Sequence, residues 1–320
     1  MISTFISAAF VLQYSAMPKR RKPGKAFENH NIFEEKIKLD FFKYQGAGND
    51  FVIVDNYNLF IKNRALMAAH ICDRHYGVGA DGFIAAEPSD IADIKMAFYN
   101  ANGSEAGMCG NGIRCFAKFV KDRKLIDQDQ FTVETGDGVK EIEILDSTLR
   151  ATNVRVSMGK LGEMKELKCQ AKKKSGFSEA ELADQQQFDL VFTHFGVPHA
   201  VIFHTAFGNG MKGLDDLALA YGDSIEHAPA FALDGTNVNF ISIVNKSHIL
   251  CSTWERGAGK TLACGTGACS SAAVARRFHG LGDHVKVSMP GGDVLVTFKE
   301  EDVWMEGRAV LSFVGSAPEF

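Results

Sequence analysis

Hydrophobic and polar positions change their period several times along the chain, and each change predicts a different kind of element. Near residue 37 the sequence Ile-Lys-Leu-Asp-Phe alternates apolar and polar side chains, as in a strand with one buried face. Apolar residues recur at helical spacing from Ile113 to Val120, and again from Ala268 to Ala275. The pattern therefore predicts two helices that each bury one face, set among short strands.

The same patterns predict the remaining elements. Asn63 is a candidate N-cap for a helix through Ile71 that stops by Gly77, and another helix is predicted around residues 214–225. Strands are predicted at residues 37–41, 51–54, 83–86, 91–99, 130–134, 140–144, 152–157, 190–195, 200–203, 236–244, 248–254, 285–289, 294–298, 303–306 and 310–314. The charged stretch 165–184 is predicted to be a solvated connection or weak helix.

Two similar Gly-rich turns precede the two central helices. They read Cys109-Gly110-Asn111-Gly112 and Cys264-Gly265-Thr266-Gly267. Asn100 and Glu255 each lie nine residues before the cysteine of their turn, directly after an aromatic residue. We interpret this repeat as an ancient duplication, which predicts two similar halves of mixed α/β character at residues 37–155 and 156–308, after an N-terminal arm, residues 1–36, that we predict to be poorly ordered.

Composition and charge narrow the class of protein. A chain of 320 residues with 46% hydrophobic content can bury one large core or two of ordinary size. The net charge of −4 gives no reason to expect a nucleic acid partner. The apolar stretch 5–12 has no basic region before it and is too short to span a bilayer. We therefore expect a soluble, cytoplasmic protein with no membrane partner.

The seven cysteines suggest the chemistry. An odd count without a secretory signal predicts free thiols in a reducing compartment. A cysteine at a helix N-terminus sits beside unpaired backbone N–H groups and a partial positive charge, which bind a carboxylate and favour a thiolate. If the two turns face each other, one thiol can remove a proton from a carbon and the other can return one to its opposite face. The other five cysteines are predicted to be packing residues: Cys72, Cys115, Cys169, Cys251 and Cys269.

Metal and nucleotide sites are disfavoured by spacing. The cysteine spacings C-x5-C and C-x4-C are followed by no H-x3-5-H, unlike the usual zinc sites. The sequence also contains no G-x-x-x-x-G-K-[ST] and no G-x-G-x-x-G between a strand and a helix. We therefore predict neither a metal nor a cofactor.

Several motifs together resemble diaminopimelate epimerase over residues 37 to about 315. They are Gly48-Asn49-Asp50-Phe51, the two cysteine turns, Pro198-His199, Asn237 within Thr236-Asn237-Val238-Asn239-Phe240, and Glu255-Arg256-Gly257. The resemblance implies two pseudosymmetric α/β domains, each with strands wrapped around a central helix, and an active site in the cleft between them. It also implies that a final strand in 309–320 returns to the first domain. The implied reaction is cofactor-independent interconversion of LL- and meso-diaminopimelate, which serves lysine and cell-wall precursor synthesis.

The resemblance also assigns roles to residues. Cys109 and Cys264 would be the two acid/base groups, assisted by His199 and Glu255. The backbone N–H groups of Gly110, Asn111, Gly265 and Thr266 would hold the reacting carboxylate. The distal head group would be bound by Asn49, Asn100, Asn237, Glu255 and Arg256. One position departs from the commonest pattern: Val197 stands where many members have an Asn that touches the distal head group.

Alternatives stay open at this point. Taken alone, His199 would be a structural histidine at a strand edge, and each Asn a turn or cap residue. The same two thiols would suit a sibling enzyme that acts on another amino acid, such as a histidine- or proline-racemase-like enzyme. A third hypothesis is a non-catalytic protein of this fold that binds amino acids or senses thiol oxidation. The sequence leaves open whether the chain forms a homodimer, which thiol is ionised in the empty site, and whether a lid closes.

Overall fold

The computed structural model describes residues 38–177, 182–204, 210–231 and 234–318. The predicted arm, residues 1–36, lies outside the described residues. The helices are α1 (Arg64–Ile71), α2 (Gly110–Asp122), α3 (Gly210–Glu226) and α4 (Gly265–His279), with a 3-10 turn at Pro229–Phe231. The strands are β1 (Lys38–Gly46), β2 (Asn49–Asp55), β3 (Gly82–Glu87), β4 (Ile94–Asn100), β5 (Gln130–Thr135), β6 (Gly138–Ser147), β7 (Ala151–Lys160), β8 (Met164–Lys172), β9 (Gln185–Phe195), β10 (Val197–Phe203), β11 (Asn237–Asn245), β12 (His248–Glu255), β13 (Gly259–Lys260), β14 (His284–Met289), β15 (Gly292–Lys299) and β16 (Asp302–Pro318).

The first seven strands form a closed ring together with the last one. Strands β1 to β7 pair in chain order, and β16 pairs antiparallel with both β7 and β1. The register places Lys38 opposite Pro318 and Lys160 opposite Asp302. Helix α2 packs against strands of this ring, including β1, β2, β7 and β16. The result is a barrel whose interior is occupied by a helix.

The remaining strands wrap around α4 in the same manner. From β16 the strand order continues through β15, β14, β12, β11, β10 and β9 to β8, and α4 packs against β9 to β12 and β14 to β16. Strand β16 therefore belongs to both halves. Helix α1 covers β3 and β4 from outside, whereas α3 covers β8, β11 and β12. The mixed α/β fold with strands around central helices confirms the predicted fold class, while the predicted domain boundaries stay predictions.

The central helices are more deeply buried than their sequence pattern predicts. Every residue of α2 from Gly110 to Val120 is buried, including Arg114 and Lys118. In α4 the residues from Gly265 to Ala275 are buried except Thr266, which is half-buried. The prediction that each helix buries a single face was wrong, because strands enclose these helices on all sides.

The stretch 165–184 is a second correction. Its first part forms β8, which pairs antiparallel with β9 from Met164 to Lys172. Cys169 and Ala171 point to the core and are 4% and 3% exposed, while Lys168, Gln170 and Lys172 face solvent. β8 ends the strand order, and charged side chains on such an edge oppose pairing with another chain. The charges that predicted a solvated connection belong to the outer face of this edge strand.

Three further observations concern the last strand and the helices. The strands predicted at 303–306 and 310–314 are one strand, β16. Asn63 is the N-cap of α1 as predicted, and its side chain accepts a hydrogen bond from the Leu66 N–H at 3.1 Å. Among the described helices, none is both long and apolar enough to cross a membrane.

Candidate active site

The two cysteines of the Gly-rich turns cap the two central helices. Cys109 is the N-cap of α2 and Cys264 the N-cap of α4, and both have extended backbone conformations. Each sulfur accepts a hydrogen bond at 3.4 Å, from the N–H of Gly112 and of Gly267 respectively. Each thiol therefore lies against the positive end of its helix, where a negative charge is favoured.

The N-termini of α2 and α4 touch each other. A Cβ atom on Gly265 would lie 3.1 Å from the Cα atom of Gly110, and a Cβ on Gly110 would lie 3.3 Å from the Cα of Gly265. The Met305 side chain of β16 packs against both glycines. Only residues without a side chain let two helix ends approach this closely, so their free N–H groups are brought together.

A cleft of about 980 Å³ opens at this junction and is lined by residues of both halves. The predicted site residues in its wall are Cys109, Cys264, Glu255, Asn49, Asn100, Gly110, Asn111, Asn237, Arg256, Gly265 and Thr266. His199 is the predicted site residue that does not line the cleft, because it is fully buried in β10 behind the wall. The structure therefore places the predicted residues together, and their roles stay predictions.

Burial dominates the electrostatics of both thiols. Desolvation raises the pKa of Cys109, an effect opposed by hydrogen bonds from the backbone N–H groups of Gly112 and Asn111. Desolvation raises the pKa of Cys264 well above its ordinary value, and the negative charge of Glu255 raises it further. Either thiolate in this site is therefore a strong base, held close to a helix end that stabilises it.

Glu255 is held beside Cys264 by neighbouring hydroxyl and thiol groups. The Thr261 hydroxyl donates a hydrogen bond to its Oε1 at 2.6 Å, and the Cys264 thiol donates another. Burial raises the pKa of Glu255, and these two hydrogen bonds act in the opposite direction. The carboxyl is thus placed to influence the protonation of Cys264.

The loop that carries Glu255 and Arg256 is fixed by buried side chains. The Arg256 N–H donates to Asn237 Oδ1 at 2.8 Å, and the Gly257 N–H donates to Glu226 Oε1 at 3.0 Å. Glu226 also accepts a hydrogen bond at 2.7 Å from the indole N–H of Trp254. Asn237 therefore orients the loop through its oxygen.

His199 is neutral and is oriented by a second asparagine. Burial lowers its pKa to about 3, with smaller effects from His194 and Arg256. Asn239 Nδ2 donates to the carbonyl oxygen of Ala200 at 3.3 Å and lies 3.2 Å from His199 Nδ1. Because Asn239 Oδ1 already accepts from Thr253, its amide nitrogen faces the imidazole, so His199 carries its proton on Nε2. Nε2 has no hydrogen-bond partner among the described residues.

The head-group candidates differ in how free their polar atoms are. Asn49 Oδ1 is buried and has no partner within the described residues. Asn100 is exposed and donates to Ser104 Oγ at 3.0 Å, and Arg256 is exposed and donates to the Asp234 carbonyl oxygen at 2.7 Å. Val197 also lines the cleft, so its apolar side chain occupies the predicted position of a polar contact.

Several contributors to the cleft were not identified from the sequence. Arg74 and Asp81 lie in its wall, and Arg74 forms ion pairs with Asp81 at 2.7 Å and with Asp50 at 3.0 Å. Thr261, between the Glu255 motif and Cys264, was also missed, as was Asn239, which lies inside a recognised motif and contacts His199 behind the wall. Only their contacts distinguish them from ordinary strand and loop residues. The five cysteines predicted to pack are all buried, and Cys72 additionally forms part of the cleft wall.

One group of potential metal ligands occurs within the described ranges. Asp223, Glu226 and His227 lie together at the C-terminal end of α3. Glu226 already accepts the two hydrogen bonds from Trp254 and Gly257, and the other two residues are exposed. The group therefore has a structural explanation as an anchor of the Glu255 loop.

Comparison with known proteins identifies the class. The family model described as diaminopimelate epimerase matches the chain twice, at residues 41–162 and 191–312. The diaminopimelate epimerase of Alkaliphilus metalliredigens is 40% identical over 278 residues, covering 85% of this chain and 95% of that protein. That of Methanococcus maripaludis strain S2 is 35% identical over 283 residues, covering 87% and 99%.

Solved structures share the fold at low sequence identity. A phenazine biosynthesis protein of the PhzF family from Bacillus anthracis superposes with a TM-score of 0.66 at 17% identity, covering 88% of this chain and 99% of that one. A hydroxyproline epimerase from Agrobacterium vitis gives 0.61 at 15% identity, covering 89% and 94%. The family model and the relatives at 35–40% identity define the class, an isomerase, and the shared fold shows two similar α/β halves. The chain belongs to the diaminopimelate epimerase family, which confirms the resemblance found in the sequence.

Proposed function

We propose that the chain interconverts LL- and meso-diaminopimelate by moving a proton on one α-carbon between Cys109 and Cys264. The observation that carries the proposal is the contact of the two helix N-termini at Gly110 and Gly265, each capped by a cysteine, at the base of one cleft. This arrangement gives an α-amino acid one carboxylate site between two thiols. Family membership supports diaminopimelate as the substrate.

The helix ends bind the carboxylate next to the reacting carbon. The backbone N–H groups of Gly110, Asn111, Gly265 and Thr266 belong to first turns, which leave N–H groups without helical partners. As the α-proton leaves, negative charge spreads onto the carboxylate oxygens, and fixed N–H dipoles stabilise that charge without reorganising. The same four groups serve both directions of the reaction because they act on the carboxylate and not on either hydrogen.

The thiols transfer the proton. One cysteine begins as a thiolate and removes the α-hydrogen as a proton, so the electron pair of the C–H bond stays on the substrate. The other cysteine begins as a thiol and donates its proton to the opposite face of that carbon. After one turnover the two cysteines have exchanged protonation states. An α-hydrogen is weakly acidic, so the raised pKa of these thiols favours the transfer once a thiolate is present.

Glu255 and His199 assist the thiols in different ways, one as a hydrogen-bond acceptor and the other as a neutral hydrogen-bond donor. Glu255 accepts a hydrogen bond from the Cys264 thiol and so holds that group in its protonated form. His199 is buried and neutral, with its Nε2–H directed by Asn239. A neutral imidazole can donate a hydrogen bond without adding a positive charge to the site.

The distal head group of diaminopimelate is bound by polar residues at the cleft wall. The exposed guanidinium of Arg256 suits a carboxylate, and the free Oδ1 of Asn49 suits an ammonium group. Polar groups left unpaired by a smaller amino acid give the discrimination. Val197 removes one such contact, so selectivity rests on the remaining residues.

A sibling activity on a cyclic amino acid is the second candidate. A probable proline racemase from Agrobacterium radiobacter K84 superposes with a TM-score of 0.60 at 14% identity, which shows a shared fold alone. Val197 gives the cleft an apolar position that a ring would contact. Proline has only one carboxylate, however, whereas the cleft offers Arg256 as a partner for a second carboxylate. This difference favours diaminopimelate.

The deciding experiment compares substrates under identical conditions. Purified protein is incubated without added cofactor with LL-diaminopimelate, with proline or with histidine, and the stereochemistry of each product is followed. Formation of the meso isomer, with unchanged proline and histidine, is the expected result. Turnover of proline or histidine without turnover of diaminopimelate would replace the proposal by the sibling activity. Binding without any isomerisation would instead favour the non-catalytic hypothesis.

A further inference from the structure

Arg114, in the second turn of α2, is an arginine with no solvent exposure. Its Nη1 donates to the Gly110 carbonyl oxygen at 2.9 Å, and its Nη2 donates to Asn111 Oδ1 at 2.9 Å. Nη1 also lies 3.6 Å from the sulfur of Met305, whereas Nε has no hydrogen-bond partner among the described residues. The guanidinium therefore lies directly behind the residues that follow Cys109.

Two strands of the first barrel leave room for this side chain. A Cβ atom on Gly307 of β16 would lie 3.1 Å from Arg114 Nε, and one on Gly46 of β1 would lie 3.4 Å from Nη2. A Cβ atom at Gly307 would require the guanidinium and the Val294 side chain, which is also 3.1 Å away, to move by a few tenths of an ångström. The barrel wall is thus shaped around a buried cation.

The cation has no carboxylate partner in the described part of the chain. The groups that act on it electrostatically are three thiols, Cys115, Cys109 and Cys269. Burial raises the pKa of all three thiols, but Cys115 and Cys269 lie inside helices away from the cleft wall, whereas Cys109 caps α2 and accepts N–H hydrogen bonds there. Cys109 is the remaining thiol, and it is half-buried at the cleft. A buried charge is costly without a partner of opposite sign, so ionised Cys109 supplies what the site lacks.

The second half has the opposite arrangement. Arg114 lies five residues after Cys109, and the residue five after Cys264 is Cys269, which is uncharged. The charged group beside Cys264 is instead Glu255. The duplication therefore places a fixed positive charge behind one thiol and a carboxyl group beside the other.

We propose that Arg114 is a positioning residue that makes Cys109 the thiolate of the empty site and leaves Cys264 as the thiol, hydrogen-bonded to Glu255. The inference rests on the proposed two-thiol function and adds which thiol acts first. The groups facing Cys109 are Arg114 from its own helix, Glu255 from β12 and Cys264 from α4. Arg114 and the N–H groups of Gly112 and Asn111 favour the ionised form of Cys109, whereas Cys264 and Glu255 oppose it, and Glu255 changes the pKa of Cys109 more than Arg114 does. The resting enzyme accepts the stereoisomer whose α-hydrogen faces Cys109.

The test measures thiol ionisation in the absence of any substrate. Wild-type protein, Arg114→Lys and Arg114→Met are alkylated with iodoacetamide across a pH series, and the label on each cysteine is read by peptide mass spectrometry. The comparison uses the pH midpoint of alkylation and not its rate, because Cys109 is more exposed than Cys264 and exposure alone changes the rate. In the wild type we expect the midpoint of Cys109 to lie below that of Cys264.

Removing the charge should shift that midpoint upward. Arg114 lowers the pKa of Cys109, so Arg114→Met should raise the Cys109 midpoint. Alkylation of Cys109 below the midpoint should fall in proportion, about tenfold for each unit by which the midpoint rises. Arg114→Lys keeps the charge and should restore most of the shift. The Cys264 midpoint should move less in both variants.

Three results would overturn the inference. The first is a wild-type midpoint of Cys264 below that of Cys109. The second is an unchanged Cys109 midpoint in folded Arg114→Met. The third is an equal shift of the Cys109 midpoint in Arg114→Lys and Arg114→Met. If Arg114→Met does not fold, as judged by circular dichroism, the wild-type order and Arg114→Lys still decide. A protein that shows the expected order but does not isomerise diaminopimelate would refute the proposed function and leave the charge assignment standing.

Discussion

Gly265→Ala is the substitution that most directly tests the contact between the two helix ends. A Cβ at this position would lie 3.1 Å from the Gly110 Cα and 3.3 Å from the Met305 Sδ. Ordinary carbon contacts are about 3.5–4.0 Å, so α2 and α4 must separate by about 0.4–0.9 Å. Alanine keeps the backbone N–H and is the better helix former, so any loss arises from this separation.

The expected losses follow from that displacement. Overpacking of this kind costs about 1–3 kcal/mol of the free energy of unfolding. A misplacement of about 1 Å at a reacting centre costs about a hundredfold in rate, so kcat/KM should fall roughly ten- to a hundredfold. Both quantities are measurable, by urea denaturation and by the rate of conversion of LL- to meso-diaminopimelate.

Gly107→Ala is the matched control for this variant. Gly107 lies two residues before Cys109, and a Cβ there would meet nothing closer than 3.9 Å. It should retain kcat/KM within about twofold, which is under 0.5 kcal/mol in the barrier. If Gly265→Ala is as active as Gly107→Ala, the two helix ends do not hold a common carboxylate and the proposed geometry is wrong.

Three further predictions concern a helix cap, a buried histidine and the distal head group. Asn63→Ala should lower the free energy of unfolding by about 1 kcal/mol through loss of the α1 cap and leave kcat/KM unchanged, and an unchanged urea midpoint would contradict it. His199 has a folded-state pKa of about 3 against an ordinary 6.5, so the unfolded chain binds the extra proton between these values. Its stabilising effect is therefore present above pH 6.5 and is lost as the pH falls towards 3. The stability difference between wild type and His199→Gln should change by on the order of 1 kcal/mol per pH unit in that window, and parallel pH curves would refute this. Arg256→Lys loses the planar fork and should raise KM for diaminopimelate about tenfold with little change in kcat, whereas an unchanged KM would remove Arg256 from the head-group site.

Local chemistry made the centre of this protein predictable. A cysteine before a Gly-rich turn and a helical apolar pattern specify an N-capped helix without reference to the rest of the chain. The side chain of Asn63 caps its helix for the same local reason. Repetition of the cysteine turn then predicted two similar halves, and the family resemblance supplied the candidate residues in the cleft wall.

Features that depend on distant parts of the chain could not be predicted in the same way. Arg114 and Lys118 are buried because strands surround α2 on all sides. The barrel closes through the pairing of β1 with β16, and these two strands lie at opposite ends of the described chain. β8 was missed because its exposed face is rich in lysine, and only its pairing with β9 shows that Cys169 is buried. Asn239 is relevant to the site because its amide contacts His199 on a neighbouring strand, and no local sequence pattern predicts that contact.

The central claim is that Cys109 and Cys264 act on opposite faces of one carbon, and isotope exchange during the first turnovers tests it most directly. The protein is incubated with LL-diaminopimelate in D2O, and deuterium at the α-carbon is measured separately in recovered substrate and in product. A thiol that donates from the opposite face takes its deuteron from solvent, so we predict one deuterium in each product molecule and almost none in recovered substrate. Equal early labelling of substrate and product would show that a single base exchanges the proton on one face, which would contradict the two-thiol account.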